Sequence, residues 1–292
     1  MQSKKLKLAL FLVFYLFAAT TTYGKVLLDT DGAGFKATYF ASENSNRYGV
    51  IVLGGSSGGK PNKEAIQIRK MGYSVLSLSY FDRSGENEFP ETLELIPVEY
   101  FDKAKNWLLS REETKDSGVI LIGLSKGAEL SLLLGSLDDT YKAIVAIAPS
   151  HVVWQGIPKN FSNLTSAPSS WSQSGEGVPF LPYVSNEEKK RLGFENRHKA
   201  SLTNEAAVTR AKIDVHAIEA DVLLISGDKD KVWPASEMAQ KVCSEINSFE
   251  SSGCAHIRYK DGDHLLSGHQ KEVFSEINRF LKKQENGSHP SP

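Results

Sequence analysis

The sequence has almost no net charge, because 34 lysine and arginine residues stand against 35 aspartate and glutamate residues in a chain of 292. This balance argues against nucleic acid or an anionic membrane surface as a partner. The sequence also lacks the G-x-G-x-x-G dinucleotide loop, the H-E-x-x-H zinc helix and any cysteine cluster with zinc spacing. We therefore predict no cofactor and no metal.

Long apolar runs are absent except near the N-terminus, where residues 8–19 form an unbroken apolar stretch after three lysines. This run is too short to span a bilayer, which takes about 20 residues. A basic segment, a short apolar segment and small residues up to Gly24 are typical of a secretory signal peptide. We predict a signal peptide over residues 1–24 and a secreted or periplasmic protein without a membrane span after cleavage. A membrane anchor or a buried helix is the alternative.

Cysteine is scarce, since Cys243 and Cys254 are the two in the chain. In an exported protein such a pair can form a disulfide. The spacing along the chain does not fix their separation in space, so two unrelated, partly buried thiols are the alternative.

Short, continuously apolar runs alternate with longer amphipathic segments from residue 50 onward. Apolar runs without alternation are typical of strands buried on both faces, as in a parallel sheet covered by helices. The order predicts an α/β fold with a mostly parallel, doubly wound sheet and helices on both faces. We assign it to one domain over residues 25–284, with an antiparallel edge strand at 35–40 and a flexible tail at 285–292.

Residues 149–215 interrupt this alternation without a clear strand, and they are rich in serine, proline, glycine, tryptophan and asparagine. Long insertions in compact domains are usually functional loops or lids. The aromatic content argues against a disordered excursion. We predict a lid-like insertion that shapes the substrate pocket, with Trp154 and Trp171 as substrate-binding residues.

Residues 123–127 (GLSKG) fit the pattern G-x-S-x-G, which is weak by itself. Here the pattern follows a buried strand and opens a leucine-rich helix, which is the setting of a nucleophile elbow. In such an elbow a Cβ on either glycine would collide with the neighbouring strand or helix. We therefore predict that Ser125 is a nucleophile rather than a serine in an ordinary turn.

A serine nucleophile needs a base that a third group holds in place, and on this architecture the order is serine, acid, histidine. Asp228 and Asp230 follow the apolar run at 222–225, and His264 follows the last predicted strand. We prefer Asp230, because the first acid of such a turn more often caps backbone amides; Asp228 is the alternative. His264 is the predicted base, ahead of three rivals: His216, His256 and His269.

Backbone amides must stabilise the oxyanion that forms when the serine attacks. We predict the amide of Lys126 and one from the glycine-rich loop, at Gly55 or Ser56, as the two donors.

Residues 54–60 also fit the nucleotide-binding pattern G-x-x-x-x-G-K. Pro61 stands where the magnesium-binding hydroxyl belongs, so we expect no nucleotide to bind. Lys126 and Glu129 can pair along one helix face, and both a local salt bridge and substrate positioning fit that spacing.

Six segments are informative together: residues 71–76 (MGYSVL), 97–101 (PVEYF), 123–130 (GLSKGAEL), 148–150 (APS), 170–171 (SW) and 181–183 (LPY). They resemble the C-terminal catalytic domain shared by type I acyl-CoA thioesterases and bile acid-CoA:amino acid N-acyltransferase. The resemblance implies the α/β-hydrolase fold. It also favours Asp230 over Asp228, because the acid in this family precedes a tryptophan by three residues, as Asp230 precedes Trp233. Serine at position 125 is similar to the hydrolase form rather than the cysteine-using acyltransferase form.

We therefore predict a serine hydrolase that cleaves an ester or thioester of a small-molecule acyl group through Ser125, His264 and Asp230. The resemblance implies acyl-CoA thioesters, whereas an exported enzyme meets little acyl-CoA, so esters and lactones stay open. The β-sandwich domain that precedes the catalytic domain in mammalian relatives is not expected here. The alternatives are acyl transfer to an amine or alcohol, and a non-catalytic binding protein on the same fold.

Overall fold

The computed structural model describes residues 25–28, 33–43, 47–85, 89–114, 117–193, 197–248 and 253–287. The predicted signal peptide and the last five residues of the predicted tail lie outside the described residues. Within those ranges, every helix is too short or too polar to cross a membrane.

A central sheet of eight strands organises the described part of the chain. Its strands, in spatial order, are β1 (Lys25–Leu28), β2 (Lys36–Phe40), β4 (Ser74–Ser79), β3 (Gly49–Leu53), β6 (Val119–Leu124), β7 (Tyr141–Ile147), β10 (Asp221–Gly227) and β11 (Cys254–Tyr259). All neighbours from β4 to β11 pair in parallel, whereas β2 is antiparallel to both β1 and β4. The predicted mostly parallel sheet is confirmed. The prediction of an edge strand at 35–40 is wrong in one respect, because β1 pairs outside β2.

Helices cover both faces of this sheet, as the continuously apolar strands predict. The larger helices are α1 (Asn62–Lys70), α2 (Glu99–Leu109), α3 (Lys126–Leu137), α7 (Ala235–Ile246) and α8 (Gln270–Gly287). One core cluster joins the sheet to α2, α3 and α7, and a second joins its other face to α1 and α8. Helix α8 ends at Gly287, so it includes the first residues of the predicted flexible tail.

The insertion at 149–215 has more regular structure than its sequence predicts. Two short strands, β8 (Trp171–Gln173) and β9 (Glu176–Gly177), form a small sheet with β5 (Ile96–Pro97). Helices α4 (Asn186–Leu192), α5 (Arg197–Ser201) and α6 (Glu205–Ala211) follow. The insertion shares a third apolar cluster with the segment that contains Trp233 and with the start of α7, so it packs onto the end of the sheet where the candidate site lies.

Strand register brings the loops of the candidate site together. Leu53 at the end of β3 pairs with Gly123 in β6, so the glycine-rich loop leaves the sheet beside the predicted elbow. Gly227 at the end of β10 pairs with Tyr259 at the end of β11. The loops that carry the predicted acid and base are therefore neighbours. The carboxyl ends of these parallel strands form one edge, where ligands of open α/β sheets bind.

Candidate active site

Ser125 lies at a sharp turn between β6 and α3, with φ of 56° and ψ of −116°. Positive φ is uncommon for a residue with a side chain, and such strained conformations cluster at functional sites. The flanking glycines allow the turn. A Cβ on Gly123 would stand 2.0 Å from the carbonyl oxygen of Gly127, and one on Gly127 would stand 2.3 Å from that of Leu53. Both distances are impossible contacts, so the turn requires glycine at each position.

Three side chains from distant parts of the chain meet at this turn. His264 Nε2 lies 2.8 Å from Ser125 Oγ, and His264 Nδ1 lies 2.7 Å from Asp230 Oδ2. The side chain of Asp230 is 2% exposed and that of His264 is 13% exposed. A buried carboxylate on Nδ1 selects the imidazole tautomer in which Nε2 accepts the serine proton.

The loop after β10 fixes the Asp230 carboxylate in this position. Its other oxygen, Oδ1, accepts hydrogen bonds from the backbone N–H groups of Val232 at 2.8 Å and Trp233 at 3.2 Å. The Trp233 ring packs edge-on against the His264 ring, with centroids 5.5 Å apart. The tryptophan three residues after Asp230 thus contacts the His264 ring from the side.

The rival acid and the strongest rival histidine belong to a separate network. Asp228 accepts hydrogen bonds from Ser236 Oγ at 2.6 Å and from the Arg258 guanidinium, and these bonds lower the pKa of its carboxyl. His256 Nε2 contacts Ser226 Oγ at 2.7 Å, and burial lowers the pKa of this histidine. Of the other two rival histidines, His216 lies near the partly exposed Glu245 and His269 lies near the exposed Asp261.

The segments that carry the predicted oxyanion-binding amides adjoin Ser125. A Cβ built on Gly55 would stand 3.3 Å from Ser125 Cβ and 3.8 Å from its Oγ, so the glycine-rich loop touches the serine. Lys126 is the first residue of α3, and amides in the first helical turn have no acceptor within the helix. Ser56 lines the same cavity as Ser125. Both segments that are predicted to supply donors thus lie next to the Ser125 side chain.

Lys126 and Glu129 form an ion pair that is buried directly behind the elbow. The Lys126 ammonium donates to both Glu129 oxygens at 2.6 and 2.7 Å, and the two side chains are 2% and 0% exposed. Glu129 Oε1 also accepts from Trp171 Nε1 at 2.8 Å and from the backbone N–H of Trp154 at 3.1 Å. Burial lowers the pKa of Lys126 and raises the pKa of Glu129, while their mutual attraction opposes both changes.

Trp154 and Trp171 do not line the cavity beside Ser125. Both are 0% exposed, and each indole N–H donates inside the core, to Ser150 Oγ and Glu129 Oε1 respectively. The Trp154 ring stacks on Tyr183 and Trp233. The prediction that these two tryptophans bind substrate is therefore corrected, because their rings and N–H groups anchor the insertion to α3 and its surroundings.

A disulfide joins Cys243 in α7 to Cys254 at the start of β11. It links the helix that follows the Asp230 loop to the strand that precedes the His264 loop.

Residues 96–269 match the family model described as BAAT / acyl-CoA thioester hydrolase C terminal, more than half of the chain. The chain belongs to this family. It is 26% identical over 218 residues to human mitochondrial acyl-coenzyme A thioesterase 2, which covers 75% of this chain and 42% of that protein. It is 25% identical over 219 residues to mouse acyl-coenzyme A amino acid N-acyltransferase 2, which covers 75% of this chain and 49% of that protein. The chain spans about half the length of these relatives.

Solved structures share the fold of this family member. An α/β hydrolase of unknown function from Agrobacterium tumefaciens superposes with a TM-score of 0.58 and 17% identity, covering 92% of this chain and all of that one. Dienelactone hydrolase from Anabaena variabilis superposes with a TM-score of 0.55 and 14% identity, covering 89% and 96%. The protein therefore has the α/β-hydrolase fold.

A cavity of about 700 Å³ opens beside Ser125, and the insertion supplies part of its wall. Pattern analysis of the sequence missed three residues that line it: Arg83, Arg197 and His198. His198 is 2% exposed, and burial followed by the positive charge of Arg197 lowers its pKa well below the usual range. Arg197 and His198 belong to the insertion, whereas Arg83 follows β4, so the fold rather than a local motif brings the three residues to one cavity.

Proposed function

We propose that the protein is a hydrolase that cleaves an ester or thioester through a covalent acyl-enzyme on Ser125. One observation carries the proposal: a continuous series of hydrogen bonds runs from Ser125 Oγ through the His264 ring to the buried Asp230 carboxylate. Membership of a family whose description is acyl-CoA thioester hydrolase supports the same reaction class.

In the first half of the reaction, Ser125 Oγ attacks the substrate carbonyl carbon while His264 Nε2 takes the serine proton. Asp230 stabilises the resulting imidazolium through Nδ1. The carbonyl oxygen becomes an oxyanion, which accepts from the amides of Lys126 and of the loop at Gly55 and Ser56. The tetrahedral intermediate then collapses, and His264 returns the proton to the departing alcohol or thiol.

In the second half, water attacks the acyl-enzyme, and His264 accepts a proton from that water. Collapse of the second tetrahedral intermediate releases the acid and restores the Ser125 hydroxyl. One water is consumed and one ester or thioester bond is broken in each cycle. Preorganised amides contribute strongly here, since loss of one oxyanion donor typically lowers turnover about 100- to 1000-fold.

Kinetics of Ser125→Ala test this proposal against p-nitrophenyl esters and acyl-CoA thioesters of increasing acyl length. We expect kcat to fall by at least about 10⁴-fold, since loss of a triad serine has cost about 10⁶-fold elsewhere. Ser136→Ala, near the far end of α3, is the control and should retain the wild-type rate. Hydrolysis by Ser125→Ala at the wild-type rate would rule the proposal out.

Acyl transfer is the second candidate, because relatives named as N-acyltransferases match three quarters of the chain. In that case an amine or alcohol replaces water in the second half of the reaction. Product analysis with added amine and alcohol acceptors separates the two, since transfer yields an amide or a new ester in place of the free acid.

We also propose that the protein is exported, on the basis of the apolar run at 8–19 and its preceding lysines. The Cys243–Cys254 disulfide suits an oxidising compartment. The test is N-terminal sequencing of the protein from its host, together with a thiol count under denaturing conditions. A mature chain starting near Lys25 without free thiols supports export, whereas an uncleaved N-terminus or two free thiols contradicts it.

A further inference from the structure

The glycine-rich loop after β3 is fastened to the segment that follows β4. The Tyr80 hydroxyl donates a hydrogen bond to the carbonyl oxygen of Gly54. On the far side of the loop, the N–H of Gly59 donates to the carbonyl oxygen of Phe81 at 2.9 Å. The side chain of Tyr80 thus holds the point at which the loop leaves β3, and the backbone of the next residue holds the far side of the loop.

Two peptide units of this loop carry the candidate oxyanion donors, and each is bonded through its carbonyl oxygen. The Gly54 oxygen accepts from Tyr80, and the Gly55 oxygen accepts from the N–H of Gly58 at 3.3 Å. Within the described part of the chain, the N–H groups of Gly55 and Ser56 donate to no protein acceptor. Both N–H groups are therefore available to an oxyanion.

Tyr80 fixes the direction of the first of these donors through the planarity of the peptide bond. The C=O of Gly54 and the N–H of Gly55 belong to one planar unit, and in a trans peptide they point in opposite directions. The peptide bond between the two glycines is trans. A Cβ built on Gly55 would stand only 3.3 Å from Ser125 Cβ. Rotation of this peptide would therefore move a donor relative to the reacting serine.

Packing restricts the position of the Tyr80 hydroxyl itself. Tyr80 is 2% exposed, and its ring centroid lies 5.8 Å from that of Phe101 and 5.6 Å from that of Trp171. Burial, followed by the negative charge of Glu129, raises the pKa of Tyr80, so its hydroxyl is a donor at neutral pH. Tyr80 is not among the described residues that line the cavity beside Ser125. Any effect of Tyr80 on the reaction therefore passes through the loop.

We propose that Tyr80 is a positioning residue for the oxyanion site, and that it holds the glycine-rich loop so that the free N–H groups meet the oxyanion formed at Ser125. The inference rests on the proposed hydrolase function and deepens it, because it names the side chain that organises one half of the oxyanion site. Preorganised donors act on charge that develops in the transition state. Loss of the Tyr80 hydroxyl should therefore impair turnover more than substrate binding.

Kinetics of Tyr80→Phe with p-nitrophenyl butyrate test the inference, since this change removes the hydroxyl and keeps the ring. Deletion of an oxyanion donor typically lowers turnover about 100- to 1000-fold, and a displaced donor should cost less. We expect kcat to fall about 10- to 100-fold with little change in KM. Tyr100→Phe is the matched control, because the Tyr100 hydroxyl also donates to a backbone carbonyl, that of Ser79 in β4, at 2.5 Å. This control should retain the wild-type kcat.

A tetrahedral inhibitor provides a readout that a merely structural role would not change. Ser125 Oγ adds to the carbonyl carbon of butyl trifluoromethyl ketone and the serine proton passes to His264, so the adduct carries an oxyanion. In Tyr80→Phe, the inhibition constant of the folded protein should rise by about the same factor as kcat falls. Tyr80→p-aminophenylalanine restores a donor at the same place and should recover part of both losses.

Tyr80→Phe with the wild-type kcat, or with a lower kcat and an unchanged inhibition constant, overturns the inference. If Tyr80→Phe does not fold, amide NMR spectra of the wild-type protein decide: formation of the inhibitor adduct should shift the N–H of Gly55 or Ser56 downfield, and an adduct that shifts neither contradicts the inference. Ser125-dependent ester hydrolysis combined with an unimpaired Tyr80→Phe refutes the positioning role alone. If the folded wild-type protein cleaves no ester, the proposed function itself fails.

Discussion

Glu129→Gln probes the buried ion pair behind the nucleophile while preserving the shape of the side chain. In the native protein, Oε1 accepts from Lys126 Nζ, Trp154 N and Trp171 Nε1, and Oε2 accepts a second bond from Lys126 Nζ. Glutamine has one oxygen, so its amide group must occupy the other position and face a donor. The substitution leaves the Lys126 ammonium buried without a counter-charge.

Removing one partner of a buried ion pair costs about 3 to 5 kcal/mol. We expect the free energy of unfolding to fall by this amount, and Tm falls by about 2 to 4 °C per kcal/mol in domains of this size. Guanidinium denaturation followed by tryptophan fluorescence, with the disulfide intact, measures the change. Glu188→Gln is the control: the Arg191–Glu188 pair has the same i,i+3 spacing but is exposed and 3.8 Å long, so its loss should cost less than about 1 kcal/mol.

The double variant Lys126→Met/Glu129→Gln separates charge from packing. It removes the ammonium and keeps an oxygen for the N–H groups of Trp154 and Trp171. We expect it to recover at least half of the stability lost in Glu129→Gln, because replacing a buried ion pair by neutral groups is often close to neutral in free energy. The reasoning is refuted if the free energy of unfolding of Glu129→Gln is within 1 kcal/mol of the wild-type value. It is also refuted if the double variant is less stable than Glu129→Gln.

Three further predictions follow from the geometry. Asp230→Asn should lower kcat by about 10⁴-fold, whereas Asp228→Asn should change kcat less than tenfold; equal effects would contradict the assignment of the acid. Cys243→Ser should reduce the free energy of unfolding by about 2 to 4 kcal/mol by opening the short loop to Cys254, and guanidinium denaturation detects it. Burial lowers the pKa of His151 to about 4, so the unfolded chain binds its proton first and stability falls as pH drops from 6.5 to 4. His151→Phe should therefore reduce the dependence of the free energy of unfolding on pH between 6.5 and 4. An unchanged slope over this pH range would contradict the prediction.

The sheet and the three central side chains were predictable because their signals are local. The β3, β6 and β10 strands are continuously apolar runs, and such runs identify buried parallel strands without tertiary information. Parallel strands place their carboxyl ends at one edge, so the residues that follow β6, β10 and β11 must meet there. Ser125, Asp230 and His264 follow those strands. Turn chemistry favours Asp230 over Asp228, and the position after the last strand favours His264 over its rivals.

The insertion was beyond prediction because its contacts are between residues far apart in the chain. Trp154 and Trp171 look like pocket residues in a loop-rich segment, but Glu129, on another element, offers an oxygen that both reach. No periodicity in the sequence indicates that α3 carries a buried carboxylate. Arg197 is similar, since one arginine in a polar stretch carries no local sign that the fold places it in the wall of the cavity beside Ser125. The pairing of β1 on the outer side of β2 also depends on the tertiary structure and has no local signal in the sequence.

Covalent labelling tests the central claim most directly, because an activated serine reacts with a fluorophosphonate whatever the natural substrate is. Intact-mass analysis followed by peptide mapping should find a single adduct, on Ser125, and labelling should be slower by orders of magnitude when His264 is replaced by alanine. A folded wild-type protein that takes no adduct, or carries it on a different residue, would contradict the account.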